Sequence, residues 1–289
     1  MKKILVIGSN GQLGNCIRKL APDFEHQYEF LFTDSKTLDI TSEEQVNDFF
    51  YDNKPEYCIN ASAYTAVDLA ETEKDKAFAV NADGVANLAQ ACADFSSILI
   101  HVSTDYVFDG DTNLSYSEDD FTNPIGIYGQ SKRKGEELAL DINPKTIIIR
   151  TSWLYSEFNK NFVKTMLNLF TQKTELGIVA DQFGQPTNAN DLAEAIMNII
   201  EFPVKTFGIF HFSNYPETTW YEFAKKIAEF SKSPIKLKPL TTDQYPTPAK
   251  RPVRSTMSLD KIEQSYKIEP KHWENSLEEC LEVLSQQKI

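Results

Sequence analysis

The chain has 289 residues, with 29 Lys and Arg against 42 Asp and Glu, a formal net charge of −13 and 41% hydrophobic residues. That balance excludes a nucleic-acid binder, which needs a basic surface to neutralise phosphate, and it excludes docking on anionic lipid. No apolar run approaches the roughly 18 residues of a membrane span.

The charge is uneven. Residues 1–150 hold 13 basic and 25 acidic residues, net −12, whereas 151–289 hold 16 and 17, net −1. The apolar run Ile4–Ile7 is too short for a secretory signal and reads as the core of a first strand, Lys3–Ile7. Helical spacing follows over Gly11–Leu20, then a strand at Tyr28–Thr33. Thr41-Ser42-Glu43-Glu44 starts a helix, a hydroxyl cap with acids in the first turn, and the Phe49-Phe50-Tyr51 cluster is expected in the core. Tyr57–Asn60 is a third strand, Glu73–Phe95 a long helix, Ser97–Val102 a fourth strand and Thr146–Arg150 a fifth. Strands alternating with helices imply right-handed βαβ units in a parallel sheet, an α/β fold.

Beyond Thr151 the pattern loosens. Helices are expected at Asn161–Thr171, Asn190–Ile200 and Thr219–Phe230, strands at Leu176–Val179 and Phe207–Phe212, and a last helix carries Trp273, Leu277, Cys280, Leu281 and Leu284 on one face. Lys232–Arg254 reads as an extended surface segment. Residues 1–150 are therefore expected to bind a dinucleotide. Residues 151–289 are expected to form mainly a smaller substrate-binding lobe, with some segments returning to the first domain. The four cysteines, Cys16, Cys58, Cys92 and Cys280, match no metal-ligand spacing and read as reduced core thiols of a cytoplasmic protein.

The loop Gly8-Ser9-Asn10-Gly11-Gln12-Leu13-Gly14 joins the first strand to the first helix as G-x-x-G-x-x-G. Glycines there let the backbone approach a pyrophosphate at a helix N-terminus. Asp34 ends the second strand, where an acid holds an adenosine ribose hydroxyl. It favours NADH, while Ser35 and Lys36 beside it could receive the extra phosphate of NADPH, so both cofactors stay open.

Ser103-Thr104-Asp105-Tyr106-Val107-Phe108 ends the fourth strand, where open α/β sheets place ligands, and Tyr128 and Lys132 share one helix face four residues apart. A free tyrosine has a pKa near ~10. Bringing it to neutrality takes roughly 4 kcal/mol, which a neighbouring ammonium can supply. Thr104 would hydrogen-bond the same substrate oxygen. Tyr128, Lys132 and Thr104 are the candidate catalytic residues.

These motifs, with Asn60–Asp68, Arg150–Tyr155, Asp181–Thr187 and Arg251-Pro252, resemble the extended short-chain dehydrogenase/reductases almost end to end, and within them the reductases of nucleotide-linked keto sugars. The resemblance implies a Rossmann-type doubly wound sheet and hydride transfer from NADPH or NADH to C4 of dTDP-4-dehydro-L-rhamnose, giving dTDP-L-rhamnose. It makes Tyr128 the proton donor, with Lys132 tuning it and holding the nicotinamide ribose. It puts Thr104, Asp105 and Trp153 on the sugar and Asn10, Gly11 and Gln12 on the cofactor phosphates. Asp39 and Ile40 flank the adenine, Ala63, Tyr64 and Thr65 follow the cofactor backbone, and Val102 sits beside the nicotinamide half. A homodimer and a magnesium ion remain open, with no metal-ligand cluster assignable. A 4,6-dehydratase is disfavoured, because Tyr106 stands where its second acid-base residue belongs. An epimerase, a related 4-keto-6-deoxysugar reductase and a non-catalytic regulatory subunit remain alternatives.

Other features read more blandly. His101 and His211 are expected as satisfied core histidines, and the acidic loop 109–120 is expected to face solvent. Because the substrate carries a pyrophosphate, the basic segment Lys232–Arg254, and Arg251 in particular, is expected to face it.

Overall fold

Strand β1 (Lys2–Ile7) carries Ile4–Ile7 without solvent contact and leads through the glycine loop into α1 (Gln12–Leu20). Next come β2 (Tyr28–Thr33), α2 (Glu43–Asn53) and β3 (Tyr57–Asn60). Ser42 caps α2 by accepting from the Gln45 N–H, and Glu43 and Glu44 occupy its first turn. Helices α3 (Val67–Ala70) and α4 (Lys74–Phe78), a π-turn at Ala79–Asp83 and α5 (Gly84–Asp94) precede β4 (Ile98–Thr104). Then come α6 (Ile127–Ile142), β5 (Thr146–Thr151), β6 (Leu154–Tyr155), α7 (Phe162–Gln172), β7 (Glu175–Val179), β8 (Phe183–Gly184) and β9 (Thr187–Asn188). The chain continues through α8 (Ala189–Glu201), β10 (Gly208–His211), β11 (Thr218–Thr219), α9 (Trp220–Phe230), β12 (Lys236–Leu240), α10 (Asp260–Tyr266) and α11 (Trp273–Gln286). The computed structural model describes residues 1–286. None of its helices is long and apolar enough to cross a membrane.

Six strands pair in parallel in the order β10-β5-β4-β3-β1-β2. The chain leaves β1 to one side for β2 and returns to the other for β3, which makes the β1/β3 boundary the switch point of a doubly wound sheet. The central strands are buried on both faces, which explains unbroken runs such as Ile147–Ile149. One face packs on α1, α8 and α10, the other on α2, α5 and α6. A third apolar cluster, with Phe223, Trp273 and Leu277, joins α7, α9 and α11 into a separate lobe.

The second half of the chain is thus divided. Strand β10 extends the main sheet beside β5, and α8 packs on α1, while α7, α9, α11 and the parallel pair β7/β12 build the lobe. Within Lys232–Arg254, the stretch expected to be extended, Lys236–Leu240 forms β12. All four cysteines are buried and free.

The helix expected over Glu73–Phe95 runs without a break from Lys74 to Asp94 and carries a π-turn at Ala79–Asp83, whose extra residue re-aims Asn81. Two expectations are corrected. Of the Phe49-Phe50-Tyr51 cluster, Phe50 is fully buried but Tyr51 is 69% exposed, because successive helical positions point 100° apart. The acidic loop does not wholly face water: Glu118 is buried and accepts from the His211 N–H.

Candidate active site

A cavity of about 900 Å³ opens at the carboxyl ends of the strands, above the switch point. Its first wall is the glycine loop. Gly8 has φ of +76°, and a Cβ there would fall 2.7 Å from the Ser62 nitrogen, so β1 and the loop after β3 can approach only with glycine. Gly11 stands at the N-cap of α1 without a side chain to cap it, which leaves the first N–H groups of the helix open to an anion. Asn10, Gly11, Gln12 and Leu13 line the cavity, as does Gly8. Gly14 does not; it packs behind the loop, where a Cβ would lie 2.5 Å from the Gly8 carbonyl oxygen.

Asp34 stands at the outer end. Its carboxylate accepts from the Lys36 and Thr37 N–H groups and, at 2.7 Å, from Asn10 Nδ2. The bonds from Lys36 and Thr37 hold it below the usual carboxylate range. Asp39 and Ile40 line the same end together with Ser35 and Lys36, which follow Asp34 in sequence. Ala63, Tyr64 and Thr65 form the opposite wall, and Asn81 from the π-turn anchors them. Asn81 Oδ1 accepts from the Tyr64 N–H at 2.8 Å, while Nδ2 donates to the Tyr64 carbonyl at 3.1 Å and to Ser131 Oγ at 3.0 Å. Asn81 thereby ties the wall to α6. Sequence reasoning missed it; a break in the apolar pattern of the long helix would have been the only signal.

The inner end gathers Val102, Thr104, Asp105, Tyr128 and Lys132. Thr104 Oγ1 accepts from the Tyr106 N–H at 3.2 Å and donates to Asp105 Oδ1 at 3.1 Å. The Tyr106 and Tyr128 rings meet edge to face with centroids 5.7 Å apart. Asp105 has almost no solvent contact, its Oδ2 has no hydrogen-bond partner among the described residues, and burial pushes its carboxyl up to about 6. Lys132 Nζ donates to the Val102 carbonyl at 2.7 Å and lies 3.4 Å from His101 Nε2. Burial brings the Lys132 ammonium down to about 8. The ammonium was expected to lower Tyr128, and here the expectation is corrected. Burial, first, and the Asp105 charge raise the phenol to about 12, opposed by the neighbouring Thr104 hydroxyl, while Lys132 turns its nitrogen to the strand.

Trp153 lines the mouth on the lobe side with φ of +46°, a strained conformation for a bulky residue. Its indole stacks on Trp220 at 3.6 Å and 11°. Its other neighbour is Gly184, where a Cβ would come within 2.7 Å of the indole. Trp220 and Lys160 are lining residues that sequence reasoning did not assign to the site, because both come from the second half of the chain and meet it only through the fold; Tyr106 lines it directly after Asp105.

Arg251 does not reach the wall. Its guanidinium bonds both Asp68 carboxylate oxygens at 3.1 Å and the Ala249 carbonyl at 3.1 Å, which holds it against Asp68. Within the same basic segment, Lys238 pairs with Glu175 and Arg254 with Glu217. His101 is a satisfied buried histidine, bonded to Asn60. His211 is equally buried, edge-on to Phe108, but among the described residues neither ring nitrogen has a hydrogen-bond partner of ordinary geometry, which corrects the expectation that it is satisfied. Among the described residues no group of three or more His, Cys, Asp or Glu is arranged to hold a metal.

The family model described as RmlD substrate binding domain matches residues 1–286. A dTDP-4-dehydrorhamnose reductase of Aggregatibacter actinomycetemcomitans is 43% identical over 289 residues, covering 96% of this chain and 97% of the relative. The crystal structure of a dTDP-4-dehydrorhamnose reductase from Clostridium acetobutylicum superposes with a TM-score of 0.94 at 40% identity, over 98% of this chain and 99% of that one. A second, from Bacillus anthracis in complex with NADP, has a TM-score of 0.94 at 37% identity, over 98% and 100%.

Proposed function

The chain belongs to the RmlD family, and on that premise we propose that it reduces the C4 keto group of dTDP-4-dehydro-L-rhamnose to give dTDP-L-rhamnose, with NAD(P)H as reductant and Tyr128 as proton donor. The observation that carries the reading is the convergence of Thr104, Tyr128 and Lys132 at the closed end of a cleft whose other end is an uncapped helix N-terminus beside Asp34.

The residues present fit a nicotinamide dinucleotide. The open N–H groups after Gly11 suit a pyrophosphate, and Asp34 suits the adenosine ribose. Asp39 and Ile40 suit the adenine, Ala63–Thr65 the connecting backbone, and Val102 with Lys132 the nicotinamide riboside. When bound, the cofactor supplies the hydride to C4. Asp34 Oδ2 can accept from a ribose 2′-hydroxyl and Lys36 can meet a 2′-phosphate, so the pocket suits NADH or NADPH as reductant. The substrate's sugar lies against Thr104, Asp105 and Trp153 in the part of the cleft closed by the lobe of α7, α9 and α11. Trp220 supports it by stacking on Trp153.

With its high proton affinity, Tyr128 enters the reaction as a neutral phenol, as a proton donor must. It gives its proton to the oxygen at C4. The Thr104 hydroxyl holds the substrate oxygen in line, and the Lys132 charge, one turn along α6 and held by the Val102 carbonyl, acts on the phenolate left behind at longer range. Arg251 acts from outside the cavity, clamping the 245–254 segment to Asp68. Tyr106 is pushed well above its usual range by burial and by Asp105, so it is no base for a dehydration, and this favours reduction over that alternative.

The folded protein is expected to oxidise NADPH or NADH only when dTDP-4-dehydro-L-rhamnose is present, with dTDP-L-rhamnose as product. No oxidation from folded protein overturns the reading. Tyr128→Phe should lower kcat by ~10²–10⁴ with little change in KM, and near-normal turnover in that variant removes Tyr128 from the mechanism.

A further inference from the structure

Behind Lys132, away from the cavity, lies a row of buried polar groups that the reaction above does not use. His101 Nε2 is 3.4 Å from Lys132 Nζ, and His101 Nδ1 is 3.1 Å from Asn60 Nδ2. Asn60, His101 and Lys132 have essentially no solvent contact.

The hydrogen-bond pattern determines where the imidazole proton sits. Asn60 Oδ1 accepts from the Ser62 backbone N–H at 3.0 Å and from Ser62 Oγ at 2.6 Å. A backbone N–H can only donate, so the oxygen of the amide must be on that side and its NH₂ must face the histidine. Nδ1 of His101 is then an acceptor, and a neutral ring carries its one proton on Nε2. That N–H points at Lys132 Nζ. An ammonium there would set donor against donor, whereas a neutral amine offers a lone pair to the same N–H.

We propose that His101, oriented by Asn60, is a positioning residue that favours the neutral amine of Lys132 and so sets the pH at which Lys132 loses its charge. The proposal rests on the assignment of Tyr128 and Lys132 above and adds the group that tunes them. Burial keeps the His101 ring neutral, with the Lys132 charge acting in the same direction. The other groups around Lys132 do not reproduce the effect. On α6, Glu136 favours the ammonium, and it is paired with Arg150 of β5. Tyr128, one turn earlier on the helix, is a neutral phenol in the resting site, and Asp105 at the end of β4 bonds Thr104. The Val102 carbonyl accepts from either form of Lys132.

Two variants reverse the polarity of the contact. Asn60→Asp puts an acceptor opposite Nδ1, which moves the ring proton there and turns Nε2 into an acceptor for the ammonium. His101→Gln can present its amide oxygen to the ammonium without adding charge. In both, the alkaline limb of the kcat–pH profile is expected to move up by about one unit, with KM for NADPH unchanged. An independent readout needs no turnover: long-range ¹⁵N–¹H spectra of ¹⁵N-histidine-labelled protein, in which the signal lost in His101→Gln identifies the ring. Wild type should show the neutral Nε2–H tautomer and Asn60→Asp the Nδ1–H form. A wild-type Nδ1–H tautomer or imidazolium overturns the proposal, as does an unmoved alkaline limb in folded His101→Gln. If Asn60→Asp does not fold, His101→Gln and the wild-type spectrum decide. Failure of the underlying mechanism shows separately, as retained turnover in Tyr128→Phe.

Discussion

Lys132 and Glu136 lie one turn apart on α6, both without solvent contact, yet they are treated in opposite ways. Glu136 is met by Arg150 through two bonds, Nε to Oε1 at 2.9 Å and Nη2 to Oε2 at 2.7 Å, the fork-to-fork geometry of a strong buried pair. Lys132 has a carbonyl and a histidine and, among the described residues, no carboxylate paired with it. A buried charge with a full partner holds helix to strand. A buried charge without one is an expense that folding alone would not retain, and it stands where a proton is to be moved.

Breaking the paired end should have the largest effect on stability. Arg150→Met leaves Glu136 buried and alone, and is expected to cost about 3–5 kcal/mol in chemical denaturation. The double variant Arg150→Met with Glu136→Leu should recover most of that loss; a double variant no better than the single would mean that the strand, not the charge, is damaged. At the unpaired end the sign reverses. The Lys132 pKa falls from 10.5 to about 8, so the ligand-free fold is penalised by about 3 kcal/mol at pH 7, where the lysine is charged in both states. Lys132→Met should therefore raise stability at pH 7 while abolishing most turnover. Its advantage should shrink as pH climbs from about 8 towards 10.5, where the folded wild type sheds the charge. A destabilised Lys132→Met at pH 7 would contradict the contrast.

The ends of the cleft sharpen the comparison further. Trp220→Ala removes the stacking partner of Trp153, worth about 0.5–1.5 kcal/mol, and is expected to raise KM for the keto sugar up to roughly tenfold with the cofactor KM unchanged. Asp34→Ala should have the smallest effect, lowering kcat/KM for NADH a few-fold more than for NADPH; an equal loss with both cofactors would remove Asp34 from the ribose.

Much of the first half was legible in the sequence because its signals are local. Tyr28–Thr33 and Tyr57–Asn60 are strands over the expected residues, and the Gly8–Gly14 loop stands between strand and helix as expected. A strand needs only a short apolar run bounded by turn residues, and a Tyr and Lys four apart share a face on any helix. The π-turn at Asn81 was not legible, since it is one extra residue in an unchanged composition. Nor was the fate of Arg251: its charge and position suggested a phosphate, but an acid 183 residues away claims it.

What the sequence by itself determined is the alternation of strand and helix, the glycine loop that an anion can approach, and the chemistry available on α6. Tertiary structure alone decided which groups face one another. It set Trp220 on Trp153, Asp68 against Arg251, Arg150 against Glu136, and Asn60 and His101 behind Lys132. Periodicity is a property of consecutive residues, whereas burial and hydrogen-bond pairing depend on where distant strands come to rest. The proton affinities of Tyr128, Lys132 and Asp105 follow from that second kind of information, and so does the reactivity of the cleft.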